Sequence, residues 1–75
     1  MSANEFVRLS LTRQCSILGK DGYLLGIRRN KAKQNIWLYL LYDFLVEVYF
    51  EPNGLVSNTL LPEATSLSLY VNLKA

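Results

Sequence analysis

The chain has no histidine and one cysteine, Cys15. Histidine is the side chain that changes charge near neutral pH, so its absence removes the commonest general base and a frequent metal ligand. A single cysteine builds neither an internal disulfide nor a zinc site. Proline (2) and glycine (4) are scarce, and only 19% of residues are charged, which excludes a disordered tail. A dominant charge sign is also missing. Eight Lys+Arg face six Asp+Glu for a net charge of +2, so attraction to a polyanion has to come from local clustering. The most apolar stretch, Ile36 to Phe50, is interrupted by Asp43 and Glu47. It is shorter than the roughly 20 residues of a membrane-spanning helix, and no integral membrane insertion is expected. Near the start, Glu5, Arg8 and Arg13 break up the apolar run that a secretory signal requires, which makes a cytoplasmic location the expectation.

What is present is a 75-residue chain that is 51% hydrophobic, read as a single small domain over 1–75. A domain of this size buries only about 60–65% of its unfolded surface. Disulfides, a metal or a partner chain are the usual supplements, and the composition leaves the partner chain.

Ser2-Ala3-Asn4-Glu5 has the spacing of a capping box, so a helix is expected to start there. Val7, Leu11, Cys15 and Leu18 recur at spacings of four, four and three and would share a stripe, with Arg8, Arg13 and Gln14 away from its centre. Gly19 is the expected terminator. Leu9 to Thr12 alternates and would suit a strand, but the cap and the length favour helix. Asp21-Gly22 marks a turn. Tyr23 to Arg28 then reads as a strand with Tyr23, Leu25 and Ile27 on one face. Arg29 to Gln34 is a polar loop, and Asn35 to Tyr42 is a second strand rich in aromatic and branched residues. From Asp43 a third strand places Phe44, Val46, Val48 and Phe50 opposite Asp43, Leu45, Glu47, Tyr49 and Glu51. A long helix over Ile36 to Phe50 would be apolar around its whole circumference and is rejected. Glu51-Pro52-Asn53-Gly54 supplies a turn, and Leu55 to Leu60 returns as a strand. In the tail Leu67, Leu69, Val71 and Leu73 alternate, yet Pro62-Glu63 opens a helix well, and Leu67, Tyr70 and Val71 would share its face. The fold class expected is α+β: an N-terminal helix, three or four antiparallel strands in a meander, and a short C-terminal helix.

Catalytic chemistry finds little support. Asp43, Glu47 and Glu51 lie four apart, but four residues along a strand span roughly 13 Å, too far for a shared proton or metal. They are read as solubilising an outer strand face. Gly19-Lys20 with Gly22 and Gly26 lacks the spacing of a phosphate loop, and neither a nucleophile elbow nor a dinucleotide fingerprint is present. No catalytic residue, cofactor, metal or small-molecule substrate is assigned.

Two features stand out. Arg28, Arg29, Lys31 and Lys33 put four cations into six residues, beside Trp37, Tyr39 and Tyr42. Such a cluster would contact phosphates while aromatics stack on bases; the plainer reading is a solvated loop. The second feature is a central strand pair that is apolar on both faces. If Phe44, Val46, Val48 and Phe50 meet the helices, then Leu45 and Tyr49 face outward, and Trp37, Tyr39 and Leu41 on the neighbouring strand join them if the register allows. An exposed apolar patch of that kind marks an interaction site. Alternatively, the terminal helices lie on opposite faces and cover both. The expectation is a non-enzymatic protein-interaction module, a homodimer or a subunit of a larger assembly, with Trp37, Tyr39, Leu45 and Tyr49 as the protein interface. Nucleic-acid binding through Arg28, Arg29, Lys31 and Lys33 is the alternative, and peripheral binding of an anionic membrane through the same cations is the third.

Overall fold

The computed structural model describes residues 1–70. Two helices, α1 (Ala3–Val7) and α2 (Leu11–Asp21), precede four strands, β1 (Tyr23–Arg29), β2 (Asn35–Leu41), β3 (Phe44–Phe50) and β4 (Val56–Leu60), and a 3-10 helix, Ala64–Leu69. The strands form one antiparallel sheet in the order β1-β2-β3-β4, a meander. The expected fold class is thus present with four strands. The tail expected as a short helix is a 3-10 helix as far as Leu69, and Val71 and Leu73 lie outside the described residues.

The capping box forms: Ser2 Oγ accepts from the Glu5 amide (3.2 Å) and the Ser2 amide donates to Glu5 Oε1 (2.9 Å). The helix it opens ends at Val7, where a continuous helix was expected. Ser10 takes extended geometry and caps a second helix, its hydroxyl accepting from the Arg13 amide. A serine that bonds its own downstream backbone offers the chain an alternative to continuing the first helix. The break rotates α2 relative to α1, so the expected stripe does not survive. Val7 and Leu11 are exposed, and Phe6, Gln14 and Leu18 are buried. Gln14 closes the break: its Nε2 donates to the Phe6 carbonyl (3.0 Å) and the Leu9 carbonyl (3.3 Å), and its Oε1 accepts from Thr59 Oγ1 of β4 (2.5 Å). Gly19 does not terminate α2, which runs on to Asp21. Gly22 follows in extended geometry, and there a Cβ would stand 2.5 Å from the Leu18 carbonyl oxygen, so a side chain has no room.

Register decides which residues share a face, because directly paired residues point the same way. Trp37 pairs with Val48, Tyr39 with Val46 and Leu41 with Phe44. These side chains face the helices, and with Phe6 and Leu18 the buried members form the core: Leu41, Val46 and Val48. Phe6 meets Phe44 at 5.8 Å between ring centroids. A bulge between Leu24 and Gly26 shifts β1 by one residue. Leu24, Ile27 and Arg29 therefore face the helices, while Tyr23, Gly26 and Arg28 face away, and Tyr23 does not share a face with Ile27 as expected. Tyr42 leaves β2 with φ 56°, and its hydroxyl donates to Asp21 Oδ2 (2.6 Å), which ties the β2–β3 turn to the end of α2.

The far face carries Ile36, Leu38, Leu40, Leu45, Glu47 and Tyr49. Ile36 and Leu38 are fully buried, and on the same face Tyr70, which follows the 3-10 helix, is set against Glu47 and Arg28. Helices over part of one side and Tyr70 on the other give β2 apolar or buried neighbours on both faces, which accounts for a strand without polar alternation.

Candidate functional site

The four interface residues singled out from the sequence do not share a surface. Trp37 and Tyr39 belong to the helix side with Val48 and Val46, whereas Leu45 and Tyr49 lie on the far side, paired with Leu40 and Ile36. The missing information was the register of β2 against β3, which inverts a strand's faces with a slip of one residue.

The four cations divide as well. Arg28 faces the far side, and its Nη2 lies 3.2 Å from Glu47 Oε2 in the one ion pair among the described residues. Glu47, read from the sequence as an exposed solubilising residue, is 2% exposed. It accepts from Arg28 on Oε2 and from the Tyr49 hydroxyl on Oε1 (3.4 Å), and the Tyr70 hydroxyl donates to Oε2. The Arg28 guanidinium also lies 5.5 Å from the centroid of the Tyr70 ring. Burial, together with the hydrogen bond to Glu47, pushes the Tyr70 phenol far above the ordinary tyrosine range. Each partner satisfies the carboxylate, and among the described residues no buried side-chain polar atom lacks a partner. The cluster is therefore closed, with no donor or acceptor directed at a ligand. A signal for it existed in the sequence: a lone carboxylate between Val46 and Val48 has to find a cation if the segment is buried. Nothing in the sequence pointed to Tyr70.

Arg29, Lys31 and Lys33 stay exposed. Arg29 lies on the helix side, its Nε 3.4 Å from Asn35 Oδ1. Lys31 and Lys33 project from a tight turn closed by hydrogen bonds between Asn30 and Gln34, with Lys33 at φ 64°. Gln34 Nε2 donates to Glu51 Oε2 (2.6 Å), which holds this turn beside the Glu51–Gly54 turn. The latter is the expected one, with Gly54 at φ 89° supplying the left-handed position.

Between these turns and the helices, the helix-side face is only partly covered. Its last row, reading across the strands, is Arg29, Asn35, Phe50 and Val56; the row before it begins with Ile27, Trp37 and Val48. Trp37 stands outside the packed core, its ring 5.0 Å from Phe50 and 6.4 Å from Tyr39. On its other side Ile27 is 41% exposed and Leu24 37%. Beside Phe50 a cavity of about 120 Å³ opens between α2 and the sheet, its walls including Cys15, Gly19, Tyr39, Val48, Phe50 and Val56. Burial raises the pKa of the Cys15 thiol, and that of the Tyr39 phenol. One end of the helix-side face thus combines an aromatic pair, exposed aliphatic residues, an apolar cavity and Arg29, with Lys31 and Lys33 in the adjoining turn.

Asp43, Glu47 and Glu51 do not converge: they occupy a turn, the far face and a loop held by Gln34. Among the described residues no group of acidic and cysteine side chains is placed to hold a metal, and no helix is long and apolar enough to cross a membrane. No protein-family model, curated protein or solved structure matches the chain.

Proposed function

We propose that the chain is a small, non-enzymatic protein-interaction module that binds through the uncovered end of its helix-side sheet face, centred on Trp37, Phe50 and Ile27. The observation carrying this reading is that Trp37 lies outside the core while two aliphatic neighbours, Leu24 and Ile27, stay more than one-third exposed. Aromatic and aliphatic side chains gathered at a surface mark interfaces, where tryptophan dominates binding energy. Strand-to-strand pairing is the weaker route to assembly. The edge strand β1 carries a bulge and ends in two arginines; β4 is five residues long, and its pairing with β3 is also interrupted. These are the devices that blunt sheet edges. Self-association through the patch would set Arg29, Lys31 and Lys33 of two copies near one another, so the reading favours a different chain over a homodimer.

Single-stranded nucleic acid is the second reading, supported by Arg29, one row beyond Trp37 on the same face, and by Lys31 and Lys33 in the turn that follows it. Placing the photo-crosslinking residue benzoylphenylalanine at Ile27, with Ser57 on β4 as the control position, separates the two in cells. Polypeptide adducts specific to position 27 are expected. Nuclease-sensitive adducts transfer the proposal to nucleic acid, and the absence of adducts at position 27 removes the interaction reading.

A further inference from the structure

The cavity beside Gly19 and the cations along the adjoining edge lie at one end of the same face. We infer that this end is a docking site for an extended acidic segment of a partner protein, which seats one apolar side chain in the cavity and sets carboxylates against Arg29, Lys31 and Lys33. The inference rests on the interaction reading above and adds the chemistry of the partner.

Three observations carry it. The cavity is apolar and, at about 120 Å³, near the size of engineered apolar cavities of ~150 Å³ that bind benzene, so it holds one small hydrophobic group. Gly19, at its rim, sits inside a helix, where glycine is unfavourable relative to alanine. No atom lies within 4 Å of where its Cβ would stand, so packing does not require a glycine there; a bare backbone at this point keeps the rim of the cavity low. Finally, Arg29, Asn35 and Phe50 are direct neighbours across three strands. Two strand spacings place the backbone of Arg29 roughly 10 Å from that of Phe50 at the cavity wall. An extended peptide covers this distance in about three residues. The match is therefore to a segment with an apolar anchor and a carboxylate about three residues away, and further acidic residues reach the turn bearing Lys31 and Lys33. A basic segment would be repelled by the same rim.

The test uses the whole chain, labelled with nitrogen-15, and four probes. These are a short soluble peptide with a central leucine flanked at that spacing by glutamates, its glutamine and lysine counterparts, and oligothymidylate. Amide and indole shifts of Gly19, Phe50, Arg29 and Trp37 are followed. The glutamate peptide should shift all four and bind about tenfold more tightly than the glutamine peptide, as three rim ion pairs of modest strength imply. The triple charge reversal R29E/K31E/K33E should invert the order in favour of the lysine peptide. Gly19→Leu, which fills the mouth from a position with open space around it, should abolish binding while leaving the remaining spectrum folded.

Binding that shifts Trp37 but is indifferent to peptide charge and to Gly19→Leu overturns the inference and leaves the interaction reading standing. Binding of oligothymidylate alone overturns both. No shift with any probe overturns the inference, and the crosslinking at Ile27 then decides the broader reading by itself.

Discussion

On its helix side the sheet offers Leu41, Val46 and Val48 to Phe6 and Leu18, side chains that need only complementary shape. On its far side, beside the buried Ile36 and Leu38, it offers Glu47 and Arg28, which need particular partners at hydrogen-bond distance. The two closures differ in how they fail. Apolar packing is shared among many contacts and weakens by degrees. The far side hangs on Tyr70, because the 3-10 helix before it contributes no buried residue and the carboxylate beneath is costly when left unpartnered. A sheet covered on both faces can thus have one robust cover and one conditional cover.

The sharpest way to break this comparison is Arg28→Met. It leaves Glu47 buried without its cation and should cost about 3–5 kcal/mol in urea unfolding. The double substitution Arg28→Met/Glu47→Leu should recover most of that loss. If the single substitution costs under about 1 kcal/mol, the far side is not held by charge. Leu18→Ala probes the helix side and should cost about 3 kcal/mol through the cavity it creates, with two-state unfolding retained. Tyr70→Phe removes only the hydroxyl and should cost about 2 kcal/mol, as for other hydrogen bonds to a charged acceptor. Its effect should also depend on pH. The fold holds the Tyr70 phenol protonated by burial and by its bond to Glu47, so its contribution is intact below the ordinary tyrosine pKa of about 10. As pH rises from there the unfolded chain ionises first, and the contribution is lost on the way to the folded-state value. The stability gap between the native chain and Tyr70→Phe should therefore narrow in alkaline unfolding curves; a gap that widens would contradict the assignment. The smallest effect, about 1 kcal/mol, is expected for Ser10→Ala, which removes the α2 cap. A negligible change in melting temperature would mean that Gln14 alone fixes the helix break.

Much of the architecture was legible because it is written locally. The alternation from Phe44 to Phe50 reports a strand with distinct faces, and the turn at Glu51–Gly54 needs only its own residues. The capping box at Ser2 is equally local. The helix break at Ser10 was not legible, since a serine inside an amphipathic pattern is compatible with either outcome until Gln14 finds the Phe6 and Leu9 carbonyls. The bulge in β1 set Leu24, in place of Tyr23, on the face of Ile27 without a mark in composition. The candidate site was legible in kind and not in place. Trp37 and the cation cluster were singled out, but their arrangement depends on register, and the role of Arg28 depends on a tyrosine that returns from 42 residues further along the chain. Long-range pairing of this type has no periodicity to betray it.

The strand order, identical to the order in the chain, sets a sequence of events as the polypeptide folds. Every ladder joins consecutive segments, so each closes a short loop and can form early. The bonds tying the ends to the sheet span far more chain: 45 residues from Gln14 to Thr59, and 23 from Glu47 to Tyr70. Helices of 5 and 11 residues are marginal alone in water. During synthesis they emerge first yet have no surface to settle on until β3 has been made. Assembly therefore runs outward from the central hairpin. Hydrogen exchange should record the same order in reverse, with β2 and β3 opening last and α1 and the 3-10 helix opening first.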